Sequence, residues 1–299
     1  MKTVSIDQIN IHDRRFCISY PLYDGELLLS IQKIGIIQPI ILLDTTPFLV
    51  VVGFRRLESA IRLGHSKISC IIDDINEKEA LLCSIHDNVK RGLNIIEKAH
   101  GIEKMLHMGF SITEIHDTMV VLDLQPHEKV LNNLIAIAYA EKPLKDFIMS
   151  HRLSMQNIES LLSFDIGERK QIMELLSPMR VTESYMREVL QMMRFVKIKE
   201  GQIDLNEIRD IKNIHDLKKE LKKKMNPILS SLEEEFKAII HKCALPPNID
   251  IKVDPFFEKE YIDIRIKGKD QEEIEDAIEK LGRVLKDGHI RSMFGLTKG

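Results

Sequence analysis

The chain has 299 residues, 44% of them hydrophobic and 30% charged, with a net charge of −3; this is the composition of an ordinary globular protein with room for two or three cores. Without an overall basic excess, any contact with a nucleic-acid backbone has to come from a local patch, and 5% aromatic residues with no tryptophan speak against a base-stacking surface for single strands. No apolar run approaches the roughly 20 residues that span a bilayer, the first residues lack the apolar segment of a signal peptide, and Cys17, Cys70, Cys83 and Cys243 are too scattered for a zinc or redox motif, so the expectation is a cytoplasmic protein with no membrane partner.

From Met1 to Asn94 the pattern is α/β. Leu27, Leu28, Ile31 and Ile34 recur at helical spacing, and Gly35 is a natural stop. "QPIILLD" and "FLVVVG" flank "TTP" and read as a hairpin-like pair of buried strands. "RRLESAIRLG" reads as a helix, "KISCIID" as a strand, and "NEKEALLCSIHDNVK" as a helix with Asn76 as cap and Glu79 three residues on.

Residues 95–200 read as helical throughout, in short segments with short connections. "SITEIHDTMV" carries a capping box in Ser111 and Glu114, and "QPHEKVLNNLIAIAYAEK" places Pro126 where a first helical turn tolerates it. Residues 201–299 change character. Ile214, Leu217, Leu221, Met225, Ile228, Leu232, Phe236 and Ile239 form a helix-packing stripe that Pro227 kinks or divides. Two alternating strands around Ile251 and Ile264 and an amphipathic helix capped by Asp270 follow. A ββα module this small is expected to pack on the preceding helix or on a second copy of itself. The basic run Lys218–Met225 is balanced by the acids of Leu232–Phe236 and reads more readily as a solvated face than as a DNA contact.

Chemistry concentrates in the first domain. Gly53, between a strand and a helix, permits close backbone approach, and Arg55 and Arg56 fall in the first helical turn. Free backbone N–H groups there already favour an anion, so two cations need an anionic partner, such as phosphate held by forked guanidinium groups. Solvation, or pairing with Asp or Glu, is the simpler account of the same two residues. "GIIQPI" (Gly35 to Ile40) and "DNVKR" (Asp87 to Arg91) complete the constellation. The 11 histidines show no metal-ligand spacing.

In order and spacing these elements resemble the N-terminal domain of the ParB family of chromosome and plasmid partition proteins. That domain runs as a leading helix, G-x-x-Q-P-I, a strand, G-E-R-R-x-x-A, x-x-G, a strand, an acidic helix and E-N-x-x-R-x-x-L-x-x-x-E, before a helix-turn-helix bundle. The matching residues here are "GIIQPI", "GFRRLESAIRLG" and "DNVKRGLNIIEKA", and the resemblance continues through "FSITEIHDTM" to about residue 165. The fold class it implies is an α/β ParB-like N-terminal domain (1–94), an all-α helix-turn-helix bundle (95–200) and a small α+β C-terminal domain of a helix plus ββα module (201–299), in which dimerisation would reside.

The resemblance implies CTP with Mg2+ as cofactors. Gln38, Gly53, Arg55 and Arg56 would cradle the phosphates, Asn88 would ligate the metal with Asp87 beside it, and Arg91 would reach the triphosphate. Phe54 replaces the glutamate of G-E-R-R and Asp87 the glutamate before the asparagine. Phenylalanine can neither orient a water nor take a proton, so weak or absent hydrolysis is expected and no catalytic residue is assigned. Sulfiredoxin chemistry, on a related fold, needs a cysteine where Phe54 stands. In the helix-turn-helix, Gln125, His127, Lys129, Asn132 and Asn133 would contact DNA, although the usual turn glycine is missing and Asp123 and Glu128 add negative charge. The expected function is a nucleotide-responsive DNA-binding protein of partition or transcription control, a homodimer on double-stranded DNA with a partition ATPase or another protein as partner. Two alternatives stay open: a degenerate ParB fold serving only protein contacts, and a nuclease or nucleotidase, for which Asp73 and Asp74 are the nearest acids.

Overall fold

The computed structural model describes residues 1–179 and 181–297, and the chain divides into two compact units, Met1–Ser150 and His151–Gly299. The first unit opens with strand β1 (Lys2–Ser5), followed by α1 (Gly25–Ile34), β2 (Ile40–Leu43), β3 (Leu49–Val52), α2 (Phe54–Arg62), β4 (Lys67–Asp73) and α3 (Glu77–Val89). The sheet order is β1-β4-β2-β3, with β4 antiparallel to β1 and parallel to β2. The β2–β3 pair is the expected antiparallel one, with Leu42 opposite Val50. β1 has no counterpart in the sequence reading. Its four residues carry one buried side chain, Val4, too little to show a period, and only pairing with β4 makes it a strand.

β3 is buried along its whole length, with Val51 at 0% exposure, because α3 packs against it while α1 packs on α2. Local capping agrees with the sequence almost everywhere. Asp24 caps α1 through Leu27 N–H, and Asn76 and Glu79 form the anticipated box on α3. At α2 the pattern breaks: Gly53 occupies the cap position in the left-handed region, no side chain caps the helix, and its first turn holds no acid.

The unit continues through α4 (Ile95–His107), α5 (Ile112–Val121), α6 (Glu128–Tyr139) and α7 (Lys142–His151). Residues 95–150 therefore fold together with the α/β part. Ile96, Ala99, Ile102 and Met105 of α4 are fully buried, and α6 packs along this helix. Ser111 and Glu114 make the expected capping box on α5. The α5–α6 turn manages without glycine because Asp123 takes φ +55, a conformation that aspartate tolerates better than most residues. α6 starts at Glu128 with His127 at its cap, so Pro126 precedes the helix instead of sitting in its first turn.

The second unit carries α8 (Met155–Leu162), α9 (Ile166–Leu176), α10 (Glu183–Glu200), α11 (Ile214–Met225), α12 (Pro227–Cys243), β5 (Ile249–Val253), β6 (Ile262–Ile266), α13 (Gln271–Lys286) and α14 (His289–Leu296). Pro227 divides the long amphipathic stretch rather than kinking it, and stands at the first position of α12, where its missing N–H costs nothing. β5 and β6 pair antiparallel, Ile251 opposite Ile264. Their core is completed by Phe236, Ile239 and Ile240 of α12 and by Ile290 and Met293 of α14, as expected of a module too small to bury a core alone. Ile274, Ile278 and Leu285 of α13 remain exposed.

Candidate functional site

The β3–α2 junction builds one wall of a pocket of about 510 Å³. Gly53 has φ +102, and a Cβ there would lie 2.7 Å from Ile40 Cγ2, so both the backbone angle and the packing of β2 require glycine. The first α2 backbone bond runs from Leu57 N–H to Gly53 O at 2.9 Å, which leaves the N–H groups of the preceding residues without a helical acceptor. Gln38 enters from the loop before β2. Asp87 and Asn88 come from the last turn of α3, with Lys90 and Arg91 just beyond it, and Ser19 and Asp24 come from the loop before α1.

All seven residues singled out for a nucleotide (Gln38, Gly53, Arg55, Arg56, Asp87, Asn88 and Arg91) line this one pocket. Four cations (Arg55, Arg56, Lys90, Arg91) face two acids (Asp24, Asp87) across it.

The two adjacent arginines do different things. Arg55 finds its anionic partner inside the protein: Nη2 donates to Glu97 Oε1 at 3.0 Å and to Tyr20 O at 3.1 Å, and Nε donates to Pro21 O at 3.0 Å. Its Nη1 lies 3.6 Å from Asp24. Arg56 has weaker company. Nη1 donates to Gln38 O and Pro39 O at 2.8 and 2.9 Å, and its nearest carboxylate, Asp87, is 3.9 Å from Nη2. Burial pushes the Arg56 guanidinium below its usual pKa and Asp87 only partly opposes this. A half-desolvated cation beside uncapped N–H groups is an anion site in its electrostatics.

Asn88 Nδ2 donates to Ser84 O at 2.7 Å, and its Oδ1 accepts from Arg91 Nη2 at 2.9 Å. Phe54 lines the pocket but is only 5% exposed, packed as a core residue. Among the described residues no three His, Cys, Asp or Glu side chains converge to hold a metal by themselves, and no helix is long and apolar enough to cross a membrane.

Glu97, Tyr20, Asp24, Ser19 and Lys90 were not singled out from the sequence. Glu97 looks like an ordinary capping residue, three after Asn94, and it is one. What the spacing hides is that it is also fully buried against two arginines.

The DNA-contact candidates cluster at the start of α6. Gln125, His127, Lys129 and Asn132 are exposed and Asn133 is half-buried, while Leu131, Leu134 and Ile137 face the core. Asp123 and Glu128 are exposed at the same end.

The family model of the ParB N-terminal domain matches residues 3–89. The probable chromosome-partitioning protein ParB of Vibrio cholerae is 26% identical over 160 residues, covering 52% of this chain and 53% of that protein. Its counterpart in Campylobacter jejuni is 28% identical over 163 residues, covering 46% and 59%, and the nucleoid occlusion protein of Listeria monocytogenes is 22% identical over 173 residues, covering 55% and 59%. The chain thus spans about half the length of the curated relatives it matches. Among solved structures, C-terminally truncated ParB of Caulobacter crescentus complexed to the centromeric parS site aligns over 64% of this chain and 99% of that one, at 16% identity and a TM-score of 0.36. The same protein complexed with CTP-gamma-S aligns over 57% and 98%, at 19% identity and a TM-score of 0.25. The likeness to the ParB N-terminal domain rests on the sequence match over residues 3–89.

Proposed function

We propose, for a chain whose N-terminal domain belongs to the ParB family, a cytoplasmic, CTP-responsive DNA-binding protein of partition or transcription control with weak or absent nucleotide hydrolysis. The observation behind this reading is the convergence of Gln38, Gly53, Arg55, Arg56, Asp87, Asn88 and Arg91, far apart in the sequence, on one pocket beside an uncapped helix start. A triphosphate carries about four negative charges and needs cations, a metal ion and backbone donors together. Arg55, Arg56, Lys90 and Arg91 supply the first and the α2 N-terminus the last.

The donor set suits magnesium as well. Mg2+ takes oxygen ligands and is usually held by one or two side chains plus phosphates, and Asp87 and Asn88 offer a carboxylate and an amide oxygen at the pocket wall. Since Asn88 Oδ1 accepts from Arg91, Asn88 would hold the ion by exchanging that hydrogen bond for the metal while Arg91 stays paired with Glu97. The metal would neutralise phosphate charge; no group at position 54 activates water, because Phe54 is apolar and buried, and this supports binding without rapid turnover.

Within this reading, residues 1–94 carry the nucleotide, 95–200 the helix-turn-helix and 201–299 self-association. Double-stranded DNA is met by Gln125, His127, Lys129, Asn132 and Asn133 at the start of α6, and the exposed apolar stripe of Ile274, Ile278 and Leu285 on α13 supports a homodimer. A partition ATPase, or another protein, is the further partner. The test is calorimetric titration with CTP, ATP, GTP and UTP in magnesium, with Arg56→Ala alongside. Binding of CTP that Arg56→Ala loses while keeping its circular dichroism supports the reading; no heat from any nucleotide overturns it and leaves the protein-contact alternative.

A further inference from the structure

Glu97 lies behind the pocket wall, its side chain 0% exposed. A buried carboxylate has to be matched by donors, and here the match is complete. Oε1 accepts from Tyr20 N–H at 3.2 Å, Arg55 Nη2 at 3.0 Å and Arg91 Nη2 at 2.9 Å. Oε2 accepts from Asn94 N–H at 3.1 Å and Arg91 Nη1 at 3.3 Å. These five donors fill the roughly four lone-pair directions of a carboxylate.

The arrangement fixes both guanidinium groups. Arg91 meets Glu97 through both Nη atoms, a fork that one ammonium cannot imitate, and Asn88 Oδ1 takes its Nε edge at 3.2 Å. Arg55 is held by Glu97, Tyr20 O and Pro21 O together. Asn94, the cap of the same helix, donates from Nδ2 to Tyr20 O at 2.7 Å, so the Tyr20–Pro21 loop, the α4 cap and the two arginines form one hydrogen-bonded unit.

Resting on the nucleotide reading above, we infer that Glu97 is a positioning residue for the triphosphate: one buried carboxylate places Arg55 and Arg91 so that, with Arg56, they meet the ligand in a fixed array. Glu97 touches no ligand and acts through the arginines. The alternative role has the opposite sign. A carboxylate that merely competes with phosphate for the two arginines weakens anion binding, and removing its charge would tighten it. A positioning carboxylate, once neutralised, frees the arginines from their array and loosens binding.

The experiment titrates the full chain with CTP and magnesium chloride by calorimetry, comparing wild type, Glu97→Gln, Arg91→Ala and the double variant, with circular dichroism and thermal melting in parallel. The expected result is CTP binding about tenfold or more weaker in Glu97→Gln, and a smaller factor for the same substitution when Arg91 is already alanine, since residues that act through one another are not additive. A general loss of stability would lower the melting temperature without producing that coupling. Arg55→Lys is the second variant, decisive if Glu97→Gln does not fold: it keeps the charge, but one ammonium cannot serve Pro21 O, Tyr20 O and Glu97 at once, and a comparable loss is expected. Unchanged or tighter binding in the folded Glu97→Gln protein, an equal factor in both Arg91 backgrounds, or full affinity in Arg55→Lys overturns the inference while the nucleotide reading stands. A wild-type chain that takes no CTP overturns both.

Discussion

Replacing Gly53 with alanine tests the junction on which the pocket is built. The backbone there has φ +102 and ψ 26, and leaving glycine for a residue with a Cβ in such a region costs about 1–2 kcal/mol. The new methyl would also stand 2.7 Å from Ile40 Cγ2, 3.1 Å from Ile40 Cβ and 3.2 Å from Arg56 Nε. Ile40 is fully buried on β2 and has little room to yield, so overpacking adds about 1–3 kcal/mol. The sum, about 2–5 kcal/mol, is a large share of the ~5–15 kcal/mol that stabilises a typical domain. Gly64 supplies the control: φ is +73 but nothing lies within 4 Å of its virtual Cβ, so Gly64→Ala carries the conformational cost alone, about 1–2 kcal/mol. Hydrogen–deuterium exchange of the β2–β3 and α2 peptides reads both variants, because protection there reports opening of this unit. Gly53→Ala should lose more protection than Gly64→Ala by the steric part, about 1–3 kcal/mol. Equal losses in the two variants would show that Ile40 moves aside freely and that the close approach of β2 is not what demands glycine.

Two further outcomes follow from the same unit. Burial, with Lys145 next, holds the His100 imidazole below its ordinary value of 6.5; Nε2 lies 3.2 Å from Lys145 Nζ and Nδ1 3.3 Å from Ile18 O, with Lys104 and Glu103 the other charges that act on it. A depressed folded pKa means that stability is present above the unfolded value and lost as pH falls, so exchange protection of α4 should decline as pH drops below about 6.5, and less steeply in His100→Asn. At the other end, Lys129→Glu should weaken gel-shift binding of duplex DNA uniformly across sequences and shallow the salt slope; an unchanged slope would remove the α6 start from the DNA interface.

What the sequence settled by itself was local. Short apolar runs and turn residues marked β2, β3 and β4, and caps such as Asn76 with Glu79 and Ser111 with Glu114 marked helix starts, because these signals act within a few residues and tertiary packing has little power to overrule them. The ordered motifs brought Gln38, Arg55, Arg56, Asn88 and Arg91 into one list, and the fold brings them into one pocket. Tertiary structure decided the rest. β1 exists only because β4 offers it an open edge, and Asp123 could stand in for the turn glycine because the chain around it holds it at φ +55. The difference between Arg55 and Arg56 is likewise invisible in "GFRR", since it depends on a glutamate 42 positions away that local spacing presents as a helix cap. A charge chooses its partner by distance in space and by exclusion of water, and neither is written in the order of residues.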